Sequence, residues 1–80
     1  MKLLIIDDEK QILSFLKINL ESLGFVVDIA ENGESGLSLA QINAYDLIIL
    51  DLSLPDISGE DICKNLRNEG QNTKILLNDQ

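Results

Sequence analysis

The chain is 80 residues long, with 14 acidic against 6 basic side chains and a formal charge of −8. A chain of that length makes one domain, residues 1–80, and buries only about 60 to 65% of the surface its unfolded form exposes, which leaves a small core and a thin margin of stability. The acidity argues against nucleic acid as a partner, and the six cations (Lys2, Lys10, Lys17, Lys64, Arg67, Lys74) stand singly rather than in the run that a phosphate backbone or an anionic membrane requires. Cationic partners or a metal are the expected counterparts. Cys63 is the single cysteine. No intramolecular disulfide is possible, and a reducing cytoplasm is the natural setting. The first apolar run, Leu3 to Ile6, is far shorter than a signal-peptide core or a membrane span, so a soluble, unprocessed chain is expected.

Four short aliphatic runs, Leu3 to Ile6, Phe25 to Ala30, Leu47 to Leu50 and Ile75 to Leu77, read as buried strands because each is brief and frequently β-branched. The stretches between them have helical spacing. From Gln11 to Leu23, Ile12, Leu16, Leu20 and Leu23 mark one apolar stripe, and Gly24 stops the helix. Asn32-Gly33 opens a weaker helical segment to Ile42 carrying Leu37, Ala40 and Ile42, in which Gly36 costs about 1 kcal/mol relative to alanine. A third helix runs from Gly59 or Glu60 to Asn68, with Ile62, Cys63 and Leu66 turned inward and Gly70 as its stop. Strands alternating with helices imply an α/β fold with right-handed crossovers, and near-continuous apolar strands fit a parallel sheet covered on both faces.

Functional groups in such sheets collect beyond the carboxyl ends of the strands. Asp7 and Asp8 follow the first strand and Asp51 follows the third, so these carboxylates converge if the two strands are neighbours. Two like charges about 4 Å apart repel by roughly 4 kcal/mol at an effective dielectric near 20, which calls for a counter-charge. An all-oxygen set without histidine selects a hard ion, and Mg²⁺ is typically held by one or two carboxylates plus waters and phosphate oxygens. That points to phosphoryl chemistry, in which a carboxylate can serve as the nucleophile. A lone acid at a strand end is ordinarily a helix cap or a solvated turn residue, which would account for Asp8 and Glu9 but not for two acids after one strand and a third after another.

The segments Leu4-Ile5-Ile6-Asp7-Asp8-Glu9, Ala30-Glu31-Asn32-Gly33, Asp46 to Pro55 (Asp-Leu-Ile-Ile-Leu-Asp-Leu-Ser-Leu-Pro) and Gly59 together resemble the receiver domain of bacterial two-component response regulators. The resemblance spans the whole chain. It implies a flavodoxin-like doubly wound parallel sheet, here (βα)3β with strand order 2-1-3-4. It implies that Asp51 is the phosphoacceptor of a sensor histidine kinase or phosphotransfer protein, a stoichiometric role rather than an enzymatic one. Asp7 and Asp8 would hold Mg²⁺ with Asp51, and the backbone carbonyl of Ser53 would supply a further ligand. Leu54-Pro55 and Gly59 read as structural, Cys63 as a buried small apolar residue, and Tyr45 as packing.

The family's complete fold has five strands and five helices, and its site also uses a Ser or Thr at the end of strand four and a Lys at the end of strand five. The lysine has no counterpart in these 80 residues, and the hydroxyl position falls on Asp79, or on Asn78 if the register slips, with Gln80 where a small residue is usual. Two readings follow: a phosphoacceptor impaired by those losses, or a receiver-derived module that is not phosphorylated and instead self-associates or occupies a docking surface on a kinase or another receiver. A sheet ending at strand four exposes an apolar edge, which leads to the expectation of a homo-oligomer, most simply a two-fold dimer through that edge. A P-loop is absent, and Ser53 stands where a hydrolase of the aspartyl-phosphate type would carry its second acid.

Overall fold

A computed structural model describes residues 1–78. Asp79 and Gln80, on which the alignment of the hydroxyl position turns, lie outside the described residues. The elements run β1 (Lys2–Ile6), α1 (Lys10–Ser22), β2 (Val26–Ala30), α2 (Gly33–Ile42), β3 (Leu47–Asp51), α3 (Gly59–Asn68) and β4 (Lys74–Asn78). The strands form one parallel sheet in the order β2-β1-β3-β4, as expected.

β1 is central, and Leu3, Leu4, Ile5 and Ile6 are all buried, which only a sheet covered on both faces allows. Alternate residues therefore serve two cores. Leu4, Ile6, Ile48 and Leu50 pack with Ala40 of α2 and with Ile62 and Leu66 of α3, whereas Leu3, Ile5 and Val27 pack with Leu13 of α1. Gly36 lies where α2 comes closest to β1: a Cβ there would be 2.5 Å from Ile6 Cδ1. Its helix-propensity cost is offset by this close approach.

Two helices stop by the same device. Gly24 and Gly70 adopt φ of +96° and +82°, and the residue after each glycine closes the turn: Phe25 N–H donates to the Leu20 carbonyl and Gln71 N–H to the Leu66 carbonyl. These are Schellman caps, for which a residue without a Cβ is preferred. In the first, Phe25 and Leu20 also pack against the same core.

The helical faces differ from the expected stripes in three places. Leu23 is 73% exposed and Leu13 is the one fully buried residue of α1, because the helix ends before Leu23 and its inward face turns about Leu13. Ile42 is 77% exposed at the last residue of α2, beyond the sheet contact. Cys63 is only partly buried; Ile62 and Leu66, four apart, form the inward line of α3. Among the described residues no helix is long and apolar enough to cross a membrane.

Candidate metal and phosphoacceptor site

The sheet order reverses at β1, since β2 lies on one side of it and β3 on the other, and open α/β sheets place their ligand crevices at such a switch point. Ile6 and Leu50 are register partners across β1 and β3. The next residues, Asp7 and Asp51, emerge side by side at the carboxyl ends. Asp7 N–H still donates to the Ala30 carbonyl of β2 (3.1 Å), and Leu52 N–H donates to the Asn78 carbonyl of β4 (3.1 Å), so the backbone of both acids is fixed by ladders extending past the strand ends.

Asp7, Asp8 and Asp51 each place a carboxylate oxygen within 4.8 Å of the others. Asp7 and Asp51 are 3% and 5% exposed, whereas Asp8 stands open to solvent. Glu9 N–H donates to Asp7 Oδ1 at 2.9 Å and Ser53 N–H to Asp51 Oδ1 at 3.1 Å. One oxygen of each buried acid is thereby oriented by backbone while the other is left for a ligand. No lysine or arginine among the described residues pairs with the three acids: Lys2 pairs with Asp28 (3.9 Å) and Lys10 with Glu31 (3.6 Å). Three carboxylates in close array without a protein cation are a donor set for a hard divalent ion.

The loop between β3 and α3 carries Ser53, whose side chain is exposed. Gly59 lies against the start of this loop. A Cβ there would sit 2.6 Å from the Asp51 carbonyl oxygen and 2.9 Å from Leu52 Cα, while its N–H donates to the Leu52 carbonyl at 3.2 Å. The glycine is thus needed for the close approach of α3 to the backbone of Asp51 and not for a turn; its φ is not positive.

One residue of this region escapes sequence reasoning. Asp56, in the same loop, reaches the first turn of α2: Gly33 N–H donates to Oδ1 and Glu34 N–H to Oδ2, both at 2.8 Å. The Glu34 amide foremost, with the Gly33 amide, holds the Asp56 carboxyl below the usual carboxylate range despite the opposing effect of desolvation. Asn32 caps the same helix by accepting from Ser35 N–H at 2.8 Å. The partners of Asp56 are more than twenty residues away, so no local spacing marks it.

Tyr45 belongs to the packing, as expected. It is buried, its hydroxyl donates to Asp28 Oδ2 at 2.7 Å, and the Lys2 ammonium lies 5.2 Å from its ring centre. Burial, reinforced by the Asp28 carboxylate, pushes the phenol well above its ordinary value.

The sequence matches the response regulator receiver domain family over residues 3–78. It is 51% identical over 77 residues to the transcriptional regulatory protein CusR of Escherichia coli K12, covering 96% of this chain and 34% of that protein. It is 41% identical to the alkaline phosphatase synthesis transcriptional regulatory protein PhoP of Bacillus subtilis, covering 95% and 32%. The chain therefore spans about a third of the length of these curated relatives. Among solved structures, the Francisella response regulator 1452 receiver domain superposes with a TM-score of 0.93 at 33% identity, covering 98% of this chain and 64% of that one. The Thermotoga maritima regulator TrrA, solved in complex with Mg²⁺-BeF, superposes with a TM-score of 0.90 at 38% identity, covering 98% and 68%. TrrA in complex with the histidine kinase ThkA gives 0.86 at 39% identity, covering 95% and 66%. Fold, register and motif agree, and the chain belongs to the response regulator receiver domain family of two-component signalling.

Proposed function

We propose that Asp51 accepts a phosphoryl group from a histidine kinase or phosphotransfer protein, with Mg²⁺ held by Asp7, Asp8, Asp51 and the backbone carbonyl of Ser53. The observation that carries this reading is the convergence of three carboxylates within 4.8 Å with no lysine or arginine among the described residues paired to them. Bound there, Mg²⁺ offsets the charge that accumulates on the phosphoryl oxygens. Asp51 Oδ1 is engaged by Ser53 N–H, which leaves Oδ2 as the attacking atom. Its bond to phosphorus forms as the phosphorus–nitrogen bond of a phosphohistidine breaks, and the departing imidazole nitrogen takes a proton. The product is an aspartyl phosphate, formed once per transfer.

The partner is assigned from family membership and from the ThkA–TrrA complex, whose regulator shares this fold. Phe15 and Ile18, exposed on α1, offer apolar area for such a protein contact. A reducing cytoplasm suits the single thiol of Cys63. Among the described residues β4 has a neighbour on one side only, with Leu76 and Leu77 56% and 43% exposed, a surface on which a second copy of these residues would pair. Sedimentation showing only monomer at micromolar concentration would remove the dimer.

Incubation with a small phosphodonor and Mg²⁺, followed by intact mass, tests the chemistry. A one-phosphate adduct in the wild type, absent in Asp51→Asn and absent when Mg²⁺ is chelated, is the expected result. A folded wild-type sample that stays unmodified would instead favour a binding module that docks on kinases or receivers without being phosphorylated.

A further inference from the structure

We infer that Asp56 is a positioning residue for the metal site: its carboxylate latches the loop carrying Ser53 to the amino terminus of α2. The inference rests on the Mg²⁺ reading above and extends it to a residue outside the acidic cluster.

The loop leaves β3 at Asp51 and enters α3 at Gly59. It is clamped at its start by Ser53 N–H on Asp51 Oδ1 and by Gly59 N–H on the Leu52 carbonyl. Its far half is held by Asp56, which accepts the first two N–H groups of α2 in a bidentate arrangement, and by Leu54 and Ile57, which pack on the core. The Ser53 carbonyl lies between these clamps. Fixing the direction of a carbonyl beforehand strengthens a metal site, because loss of an outer partner that orients a ligand typically costs about 10- to 100-fold in metal affinity.

The Asp56 bonds are also electrostatically favoured. The first N–H groups of a helix carry the positive end of its dipole, and a carboxylate is the preferred acceptor there. α2 does not need Asp56 in order to have a cap, since Asn32 accepts Ser35 N–H through its side chain and Gly36 N–H through its carbonyl. What Asp56 adds is a link between two segments of chain. The fit is close: a Cβ at position 33 would lie 2.9 Å from Asp56 Oδ1 and 3.0 Å from Ile57 Cβ, so glycine at that position lets the loop dock.

The test is Mg²⁺ titration of the full chain, followed by the amide shifts of residues 51–53 in ¹H–¹⁵N spectra, since the protein has no tryptophan to report the site. In Asp56→Ala the Mg²⁺ dissociation constant is expected to rise about tenfold. Asp56→Asn, which retains one acceptor oxygen, should fall between wild type and Asp56→Ala. Asn32→Ala weakens the same helix end without touching the loop and should leave Mg²⁺ affinity within about twofold. If Asp56→Ala does not fold, Gly33→Ala perturbs the same contact from the helix side and should weaken Mg²⁺ binding in the same direction. Wild-type affinity in Asp56→Ala, or in Gly33→Ala where it stands in, overturns the inference. So does an Asn32→Ala loss as large as that of Asp56→Ala, which would mean that only helix stability matters. Absence of Mg²⁺ binding in wild type overturns the metal reading itself, and the latch with it.

Discussion

Asp7 and Asp51 stand one residue beyond the register partners Ile6 and Leu50, so the pairing of β1 with β3 sets the separation of the two buried carboxylates. Their mutual repulsion is therefore built into the sheet. It follows that relieving one charge should stabilise the metal-free protein. Asp51→Asn keeps an oxygen to accept Ser53 N–H, and without divalent ions it should unfold at a temperature several degrees above wild type, a gain of about 1 kcal/mol in a domain of this size. Added Mg²⁺ should raise the wild-type midpoint and leave the variant little changed. Thermal unfolding by circular dichroism with and without Mg²⁺ checks both arms.

Gly59→Ala should harm both stability and the site. The new methyl would press on the Asp51 carbonyl and Leu52 Cα, which are backbone atoms and cannot swing aside. Overpacking of this kind costs about 1 to 3 kcal/mol, and urea unfolding should show it. Because the displaced backbone is that of Asp51, Mg²⁺ affinity should fall as well.

Burial rather than apolarity decides which aliphatic residues matter. Leu66→Ala and Ile62→Ala empty fully buried positions where α3 meets the sheet and should each cost about 2 to 5 kcal/mol, a large part of what a small domain has. Leu23→Ser and Ile42→Ser, equally apolar in sequence, should stay within about 0.5 kcal/mol. Urea midpoints at constant slope distinguish the two pairs.

Tyr45 supplies a pH signature. Its folded phenol ionises well above the ordinary value of 10.0, so the Tyr45 contribution to stability is complete below about pH 10 and declines as pH rises further, because the unfolded chain releases its proton first. As the single tyrosine, it can be followed by phenolate absorbance, which should be absent from the folded protein at about pH 11 and appear on unfolding. Tyr45→Phe should remove this alkaline decline and cost about 1 kcal/mol at neutral pH.

The elements and their order were legible because each carries its own punctuation: β-branched runs for the strands, Gly24 and Gly70 for two helix stops, and Asn32 and Gly33 at the start of α2. The acidic triplet was legible because topology converts positions after strands into positions in space. The contact made by Asp56 was not, since it joins a loop to a helix end far along the chain and no periodicity encodes it. Helix faces were only partly legible: the stripe through Leu23 satisfied helical spacing, but the sheet contact and the Schellman turn, rather than spacing, chose Leu13 as the buried residue. For Gly36 the sequence shows a propensity cost and for Gly59 a structural role, and only the packing shows the space each one frees.

The central place of β1 has a kinetic meaning. The first strand of the chain must wait for two later strands, one on each edge, and a partly folded species holding only β1, α1 and β2 possesses two of the three acids but not the third. On the proposed metal reading, tight capture would mark closure of the longer loop to β3, and a divalent ion that prefers the completed cluster would favour the last step of assembly by mass action. A metal held there as proposed would fasten the sheet as well as support phosphoryl transfer.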